Sequence, residues 1–283
     1  MLQQLGRIEV TDEDHQALAA ACEPGVGLCT IVGIEGSFSR QLGAQLAVKG
    51  DGATVGSLSD GCLEAQLAAD LLDLTEPRVI RYGAGSGRID FRLPCGGGLD
   101  ILLDPAPDRV SCRRAICRLA ARSSADLALP HNSLLAKRRY LPSLRLVAFG
   151  EGPEMDYVED LATAMRLDMS AYDKSRLSLG QPALGCLLDR WTAALFLFHD
   201  HEWELALLEQ VLASDVFWVG AQGGESARVD RSLSLTARGL PEEQIARVRS
   251  PVGLIASCKT PSAMALSALA EVVAEYERLR RDA

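Results

Sequence analysis

The chain has 283 residues, 48% hydrophobic and 24% charged, which supplies a packed core and excludes a disordered chain. Its formal net charge of −9 argues against a nucleic-acid partner, because phosphate binding needs clustered Lys and Arg. At about 150 residues per domain, the length predicts two domains.

Residues 1–10 are mixed and polar, without the basic patch and apolar stretch of a signal peptide. No run approaches the roughly 18 apolar residues needed to cross a bilayer. A cytoplasmic location with no membrane partner is therefore expected. Cys22, Cys29, Cys62, Cys95, Cys112, Cys117, Cys186 and Cys258 are expected to be free thiols, most of them acting as small buried hydrophobes. There is no CxxC pair, and Cys112 and Cys117 lack further ligands for zinc.

In chain order, a helix is predicted over 13–21 and a strand over 27–34, followed by a loop over 35–40. Strands at 44–48 and 53–55 flank Lys49-Gly50-Asp51-Gly52, a hairpin signal because glycine accepts the positive φ of tight turns. A helix over 62–74 and strands at 78–82 and 99–103 follow. Asp104-Pro105-Ala106-Pro107 breaks the pattern and closes a first domain at 108. The segment 109–143 reads as a helical connector, with a helix over 112–122 and a solvated Lys137-Arg138-Arg139 run.

From residue 144 strands and helices alternate. Strands are predicted at 144–149, 169–172, 193–198 and 216–219, and helices over 153–166, 202–212, 226–238 and 262–280. That alternation implies a parallel sheet with right-handed crossovers. Arg278, Arg280 and Arg281 at the end complement the last helix dipole. The expected class is α/β: an N-terminal α+β domain (1–108), the connector (109–143) and a C-terminal Rossmann-like parallel-sheet domain (144–283).

Two sets of residues carry candidate chemistry. In the C-terminal half, Gly150-Glu151-Gly152 lies between strand and helix, where Gly150 permits a tight turn and Gly152 admits a pyrophosphate to the helix start. Asp173 ends the next strand, where an acidic residue holds a ribose hydroxyl. Met155 replaces the third glycine, Glu151 adds a negative charge and Pro153 removes an amide donor. The plain alternative is a Rossmann-type domain that holds no dinucleotide. His199-Asp200-His201 and the glycine-rich run from Gly220 also follow strands, on the ligand edge of such a sheet. Adjacent residues rarely converge on one ion, so the histidines read as a strand-end turn capping the next helix.

In the N-terminal half, Gly36-Ser37-Phe38-Ser39-Arg40, the run Gly56 to Glu64 and Pro94-Cys95-Gly96-Gly97-Gly98 are rich in small residues. Such loops expose backbone amides and allow close approach of a ligand. Cys62 begins a helix, where aligned peptide dipoles favour anionic groups, and Cys95 sits in a glycine loop. Soft sulfur ligands suit soft metals and sulfur transfer. The alternative is a pair of ordinary turns that contain cysteine.

Together these segments resemble the XdhC/CoxI family, the xanthine dehydrogenase accessory factors. The resemblance rests on the G-S-x-x-R loop (Gly36, Ser37, Arg40), the G-S-x-S-x-G-C-x-E segment (Ser59, Gly61, Cys62, Glu64) and the C-G-G segment (Cys95, Gly96, Gly97). In the C-terminal half it rests on Gly150 and Gly152, His199-Asp200, Val219-Gly220, Pro251-Val252-Gly253-Leu254 and Thr260-Pro261. It covers nearly the whole chain in motif order. Ser39 stands where the family usually has proline and Asp60 where it often has glycine. Ala221-Gln222-Gly223-Gly224 lacks the usual basic residue, and Ser262-Ala263 replaces an acidic helix start.

The resemblance implies a maturation chaperone rather than a turnover enzyme. It implies binding of the molybdenum cofactor, as molybdopterin or its dinucleotide form, and support of its sulfuration with a cysteine desulfurase. Delivery to an apo molybdenum hydroxylase of the xanthine or aldehyde dehydrogenase type would follow. It places cofactor contacts at Ser37, Arg40, Ser59, Gly61, Cys62, Glu64, Cys95, Gly96, Gly97, Gly150, Gly152, Asp173, His199 and Gly220, with Cys62 and Cys95 toward molybdenum. A homodimer is a further expectation. Two other readings stay open: an NAD(P)-dependent oxidoreductase built on Gly150, Gly152 and Asp173, and a cofactor-free scaffold for apo-enzyme assembly.

Overall fold

A computed structural model describes residues 13–59, 61–86 and 96–282. The chain forms two compact units, Met1–Pro142 and Ser143–Ala283.

In the first unit α1 (Glu13–Ala20) precedes β1 (Gly27–Glu35), β2 (Gln45–Val48), β3 (Thr54–Val55), α2 (Cys62–Leu72), β4 (Arg78–Gly83) and β5 (Gly98–Asp104). The strands form one sheet in the order β3-β2-β1-β5-β4, and its pairings are antiparallel. Alternation along the strands splits the side chains between two faces. Cys29, Ile31, Leu46 and Val48 pack with Leu63, Leu67 and Leu71 of α2. Leu28 and Ala47 point the other way, into a cluster with Ala17 and Leu18 of α1.

The segment expected as a connector belongs to this second cluster. It forms α3 (Arg109–Ala120) and the hairpin β6 (Ala125–Ala128) and β7 (Lys137–Tyr140). Asp108 caps α3 through its side chain, accepting the Val110 and Ser111 amides. Cys112, Ala115, Leu119, Ala125, Leu127 and Tyr140 are buried against Leu28 and Ala47. A buried chain runs from the Tyr140 hydroxyl, donating to Gln45 Oε1, through Gln45 Nε2, donating to Thr30 Oγ1 at 2.9 Å. Burial of these groups removes residues 109–142 from any linker role.

The second unit holds β8 (Arg145–Gly150), α4 (Pro153–Ala164), β9 (Asp168–Tyr172), β10 (Thr192–Leu197), α5 (Leu205–Leu212), β11 (Trp218–Ala221), α6 (Glu225–Ala237), α7 (Glu242–Ile245), β12 (Val248–Arg249) and α8 (Pro261–Asp282). Its sheet runs β12-β11-β10-β8-β9 and is parallel throughout. Central β10 is buried along its whole length, as a strand covered on both faces must be. The chain leaves β8 toward β9 and returns to lay β10 on the other side, so the order reverses between β8 and β10. A ligand crevice opens outside the carboxyl ends of strands at such a switch point. The mixed architecture expected from the strand–helix pattern is the one found.

Candidate functional site

The N-terminal loops converge at one end of their sheet. Glu35 ends β1 opposite Gly98 at the start of β5, and a methyl placed on Gly36 would lie 3.4 Å from the Gly97 Cα. Gly36–Arg40 and Gly96–Gly97 are therefore in contact. The Arg40 guanidinium joins the third loop, with Nε donating to the Ser57 carbonyl at 3.2 Å and Nη2 to Ser57 Oγ at 3.3 Å. Ser57 Oγ in turn donates to the Ser59 carbonyl at 3.2 Å.

Glu64 shapes this loop from within. It is 7% exposed. Its Oε1 accepts the Leu58 amide at 2.8 Å and the Ser59 amide at 2.5 Å, and its Oε2 accepts the Gly61 amide at 2.9 Å. Burial alone would push its carboxyl up, yet the amides of Ser59, Leu58 and Gly61 outweigh it and hold the carboxyl below the usual 4.5. With both oxygens committed to the backbone, Glu64 positions the loop and does not face a ligand. Gly61, at φ 103°, is the helix N-cap, a backbone conformation that a side chain would strain. Cys62 follows as the first residue of α2 and is exposed. Ser37 and Gly96 are also exposed. Cys95, named from the sequence, lies outside the described residues, and among those described no group of three metal-ligating side chains gathers.

The other thiols divide as expected. Burial drives the Cys29 thiol upward and pushes Cys112 up to about 12. It also raises Cys22 and Cys186, so these act as core residues.

In the C-terminal unit the expected residues take different places. Gly150 is the last residue of β8, and a methyl there would sit 2.6 Å from Leu197 Cβ, so it permits close approach of β8 to β10. Gly220 lies inside β11, where a methyl would meet the Trp218 ring at 2.1 Å. Both serve packing. Gly152 is exposed at φ 90° and starts α4, with Pro153 in the first turn. Glu151 is held by Lys174 at 2.6 Å, and the Lys174 ammonium lies over the Trp203 ring at 5.5 Å. Asp173 is exposed, and its Oδ1 accepts the Ser175 amide and hydroxyl and the Arg176 amide. The Ser175 hydroxyl first and then these amides lower its carboxyl. Asp200 caps the turn after β10 by accepting the Glu202 amide at 3.2 Å, and His199 Nε2 stands 3.8 Å from Glu154 Oε2.

A cavity of about 520 Å³ opens on this edge of the sheet, walled by Glu154, Gln222–Gly224 and residues 251–261. Its size is that of a small-molecule site. A buried ion pair supports its floor. Arg231 Nε meets Glu204 Oε2 at 2.8 Å, with the two side chains 2% and 0% exposed. Arg231 also donates to the Gln222 carbonyl at 2.8 Å and to Ser250 Oγ at 3.2 Å, and Ser250 Oγ donates to the Gly223 carbonyl at 3.2 Å. Sequence reading missed this pair, because an arginine on a polar helix looks solvated. It also missed Cys258 and Lys259 as cavity residues, although Thr260-Pro261 beside them carried part of the resemblance.

Comparison with known proteins agrees with this architecture. A family model described as the XdhC and CoxI family matches residues 19–83, and one described as the XdhC Rossmann domain matches residues 146–272. The chain is 30% identical over 287 residues to the molybdenum cofactor insertion chaperone PaoD of Escherichia coli (strain K12), covering 93% of this chain and 89% of that protein. It is 25% identical over 258 residues to the uncharacterised protein YqeB of the same organism, covering 87% of this chain and 42% of that one. Among solved structures, a Bacillus halodurans protein described as a xanthine dehydrogenase superposes with a TM-score of 0.70 at 20% identity, over 94% of this chain and 96% of that one. At that identity the likeness speaks for the fold.

Proposed function

Because this chain belongs to the XdhC and CoxI family, we propose that it takes part in molybdenum cofactor maturation, with the cofactor as its cargo. In this reading it receives the cofactor, as molybdopterin or its dinucleotide form, shields it and passes it to an apo molybdenum hydroxylase. A cysteine desulfurase supplies the sulfur in the same reading, and PaoD, described as a molybdenum cofactor insertion chaperone, supports the role. The observation that carries the proposal in this chain is the meeting of three small-residue loops beside the exposed thiol of Cys62.

The fit is chemical. The loops at Ser37, Ser59, Gly61, Gly96 and Gly97 supply amides and hydroxyls to oxygen-rich cargo, and Arg40 holds two of them together. The cargo brings its own molybdenum and dithiolene sulfurs. This chain supplies a soft thiol at Cys62, and at Cys95 if that loop closes on it, together with walls that limit water. Glu64 keeps the Ser59–Gly61 backbone in the shape that presents those groups.

The test is retention of cargo. The chain is expressed with a molybdenum hydroxylase, purified, and assayed for molybdenum and for oxidised pterin fluorescence. Wild type should carry both in near-equal amounts, and Cys62→Ala with Arg40→Ala should lose most of each while keeping the wild-type melting temperature. Equal loading of variant and wild type would overturn the assignment of this site.

A further inference from the structure

We infer that the C-terminal cavity is a separate binding site for a phosphorylated ligand bearing a 2-amino-4-oxopyrimidine edge, the ring face shared by guanine and pterin. The inference goes beyond the cargo role, because none of its residues belongs to the N-terminal loops.

The first observation is a pair of unmet acceptors. Glu154 Oε2 and Gln222 Oε1 are both buried without a hydrogen-bond partner, and both residues line the cavity. The nearest cation to Glu154 is His199, at 3.8 Å, beyond hydrogen-bond reach. Buried acceptors left unmet cost stability, so their presence in one cavity points to a ligand that brings donors.

The second observation is the positive character of the rest of the wall. The starts of α4, α6 and α8 reach the cavity at Glu154, Gly224 and Thr260-Pro261. Neither α4 nor α6 has a side-chain cap, so their first amides remain available to an anion. Lys259 lines the same cavity, and among the described residues it has no ion-pair partner. A cationic donor such as a guanidinium is disfavoured in that field. A neutral ring with adjacent N–H groups, attached to a phosphate, meets both demands. A 2-amino-4-oxopyrimidine presents a ring N–H beside an amino group, which a carboxylate accepts in paired fashion. Adenine offers its amino group beside a ring acceptor and mismatches Glu154.

The experiment is calorimetric titration of the full chain with guanosine 5′-monophosphate, a 6-hydroxymethylpterin phosphate and adenosine 5′-monophosphate. We expect one or both of the first two to bind at least 10-fold more tightly than the adenine nucleotide, and the tighter of them identifies the source of the ring. Glu154→Gln preserves shape but turns a donor toward the ring, and should weaken that ligand on the order of 10- to 100-fold. Gln222→Met should weaken it in the same direction, and Lys259→Ala should weaken every phosphorylated ligand alike. Retained melting temperatures exclude unfolding as the cause. No binding by wild type, equal binding of the adenine nucleotide, or undiminished affinity in both Glu154→Gln and Gln222→Met overturns the inference. The titration makes no use of molybdenum, so its failure is distinct from failure of the cargo reading.

Discussion

Removing Arg231 tests how the cavity floor is held. In Arg231→Met the side-chain volume is largely kept, but Glu204 loses the cation at 2.8 Å that compensates its charge. Glu204 is fully buried, its Oε1 already lacks a partner, and only His201 Nδ1 at 3.2 Å remains beside it. Stranding one member of a buried pair costs about 3–5 kcal/mol. Burial already raises the Glu204 carboxyl above its usual 4.5, with Arg231 and then His201 opposing the rise. Loss of Arg231 raises it further. A folded-state value above the unfolded one means that the folded form holds the extra proton. Stability therefore falls as pH climbs from about 4.5 through the raised value. The variant's deficit should be full at pH 7.5 and smaller at pH 5, where the carboxyl takes up a proton. Urea unfolding followed by tryptophan fluorescence reads this unit alone, since Trp191, Trp203 and Trp218 are the chain's 3 tryptophans. The double variant Arg231→Met, Glu204→Leu should recover most of the loss. A deficit under about 1 kcal/mol at pH 7.5, or one that does not shrink at pH 5, would refute the reasoning.

Three further outcomes follow from the geometry. Glu64→Ala leaves the Leu58, Ser59 and Gly61 amides without their acceptor and should cost about 2–3 kcal/mol by circular dichroism melts. Because the Glu64 carboxyl is held below 4.5, its contribution is present above that pH and fades as pH falls through the lowered value, so wild type and variant should converge in acid. Gly220→Ala puts a methyl 2.1 Å from the Trp218 ring; the overpacking should cost about 1–3 kcal/mol and shift the emission spectrum. Brief native alkylation with iodoacetamide at pH 8, read by mass spectrometry, should mark exposed Cys62 and Cys117 and spare buried Cys29 and Cys112; early labelling of Cys29 would contradict its place under α2.

Much of the frame was legible in the residue pattern. The buried run of β10, the glycine turn at Gly150–Gly152 and the alternation of strands with helices announced a parallel sheet, because backbone hydrogen bonding and period-two burial act over a few residues. The small-residue loops at Gly36, Gly56 and Gly96 were visible as segments, and the order of their motifs carried the family. Boundaries drifted at β11, which begins at Trp218 rather than two residues earlier, since an apolar run does not mark where pairing starts.

Tertiary structure alone decided what each polar residue does. Glu64 looked like a ligand and is a brace, because three loop amides happen to reach its carboxylate. Gly220 looked like a phosphate turn and instead makes room for an indole ring. Arg231 looked solvated and is buried on Glu204, and residues 109–142 looked like a linker and complete a core. Such roles depend on partners tens of residues away in the chain, such as the 27 that separate Glu204 from Arg231, and local pattern holds no record of that distance. The sequence by itself determined which segments become strands, helices and open loops. Only the folded chain determined which charges are shielded, which acceptors are left unmet and where a cavity opens, because desolvation and long-range pairing exist only once the elements have packed.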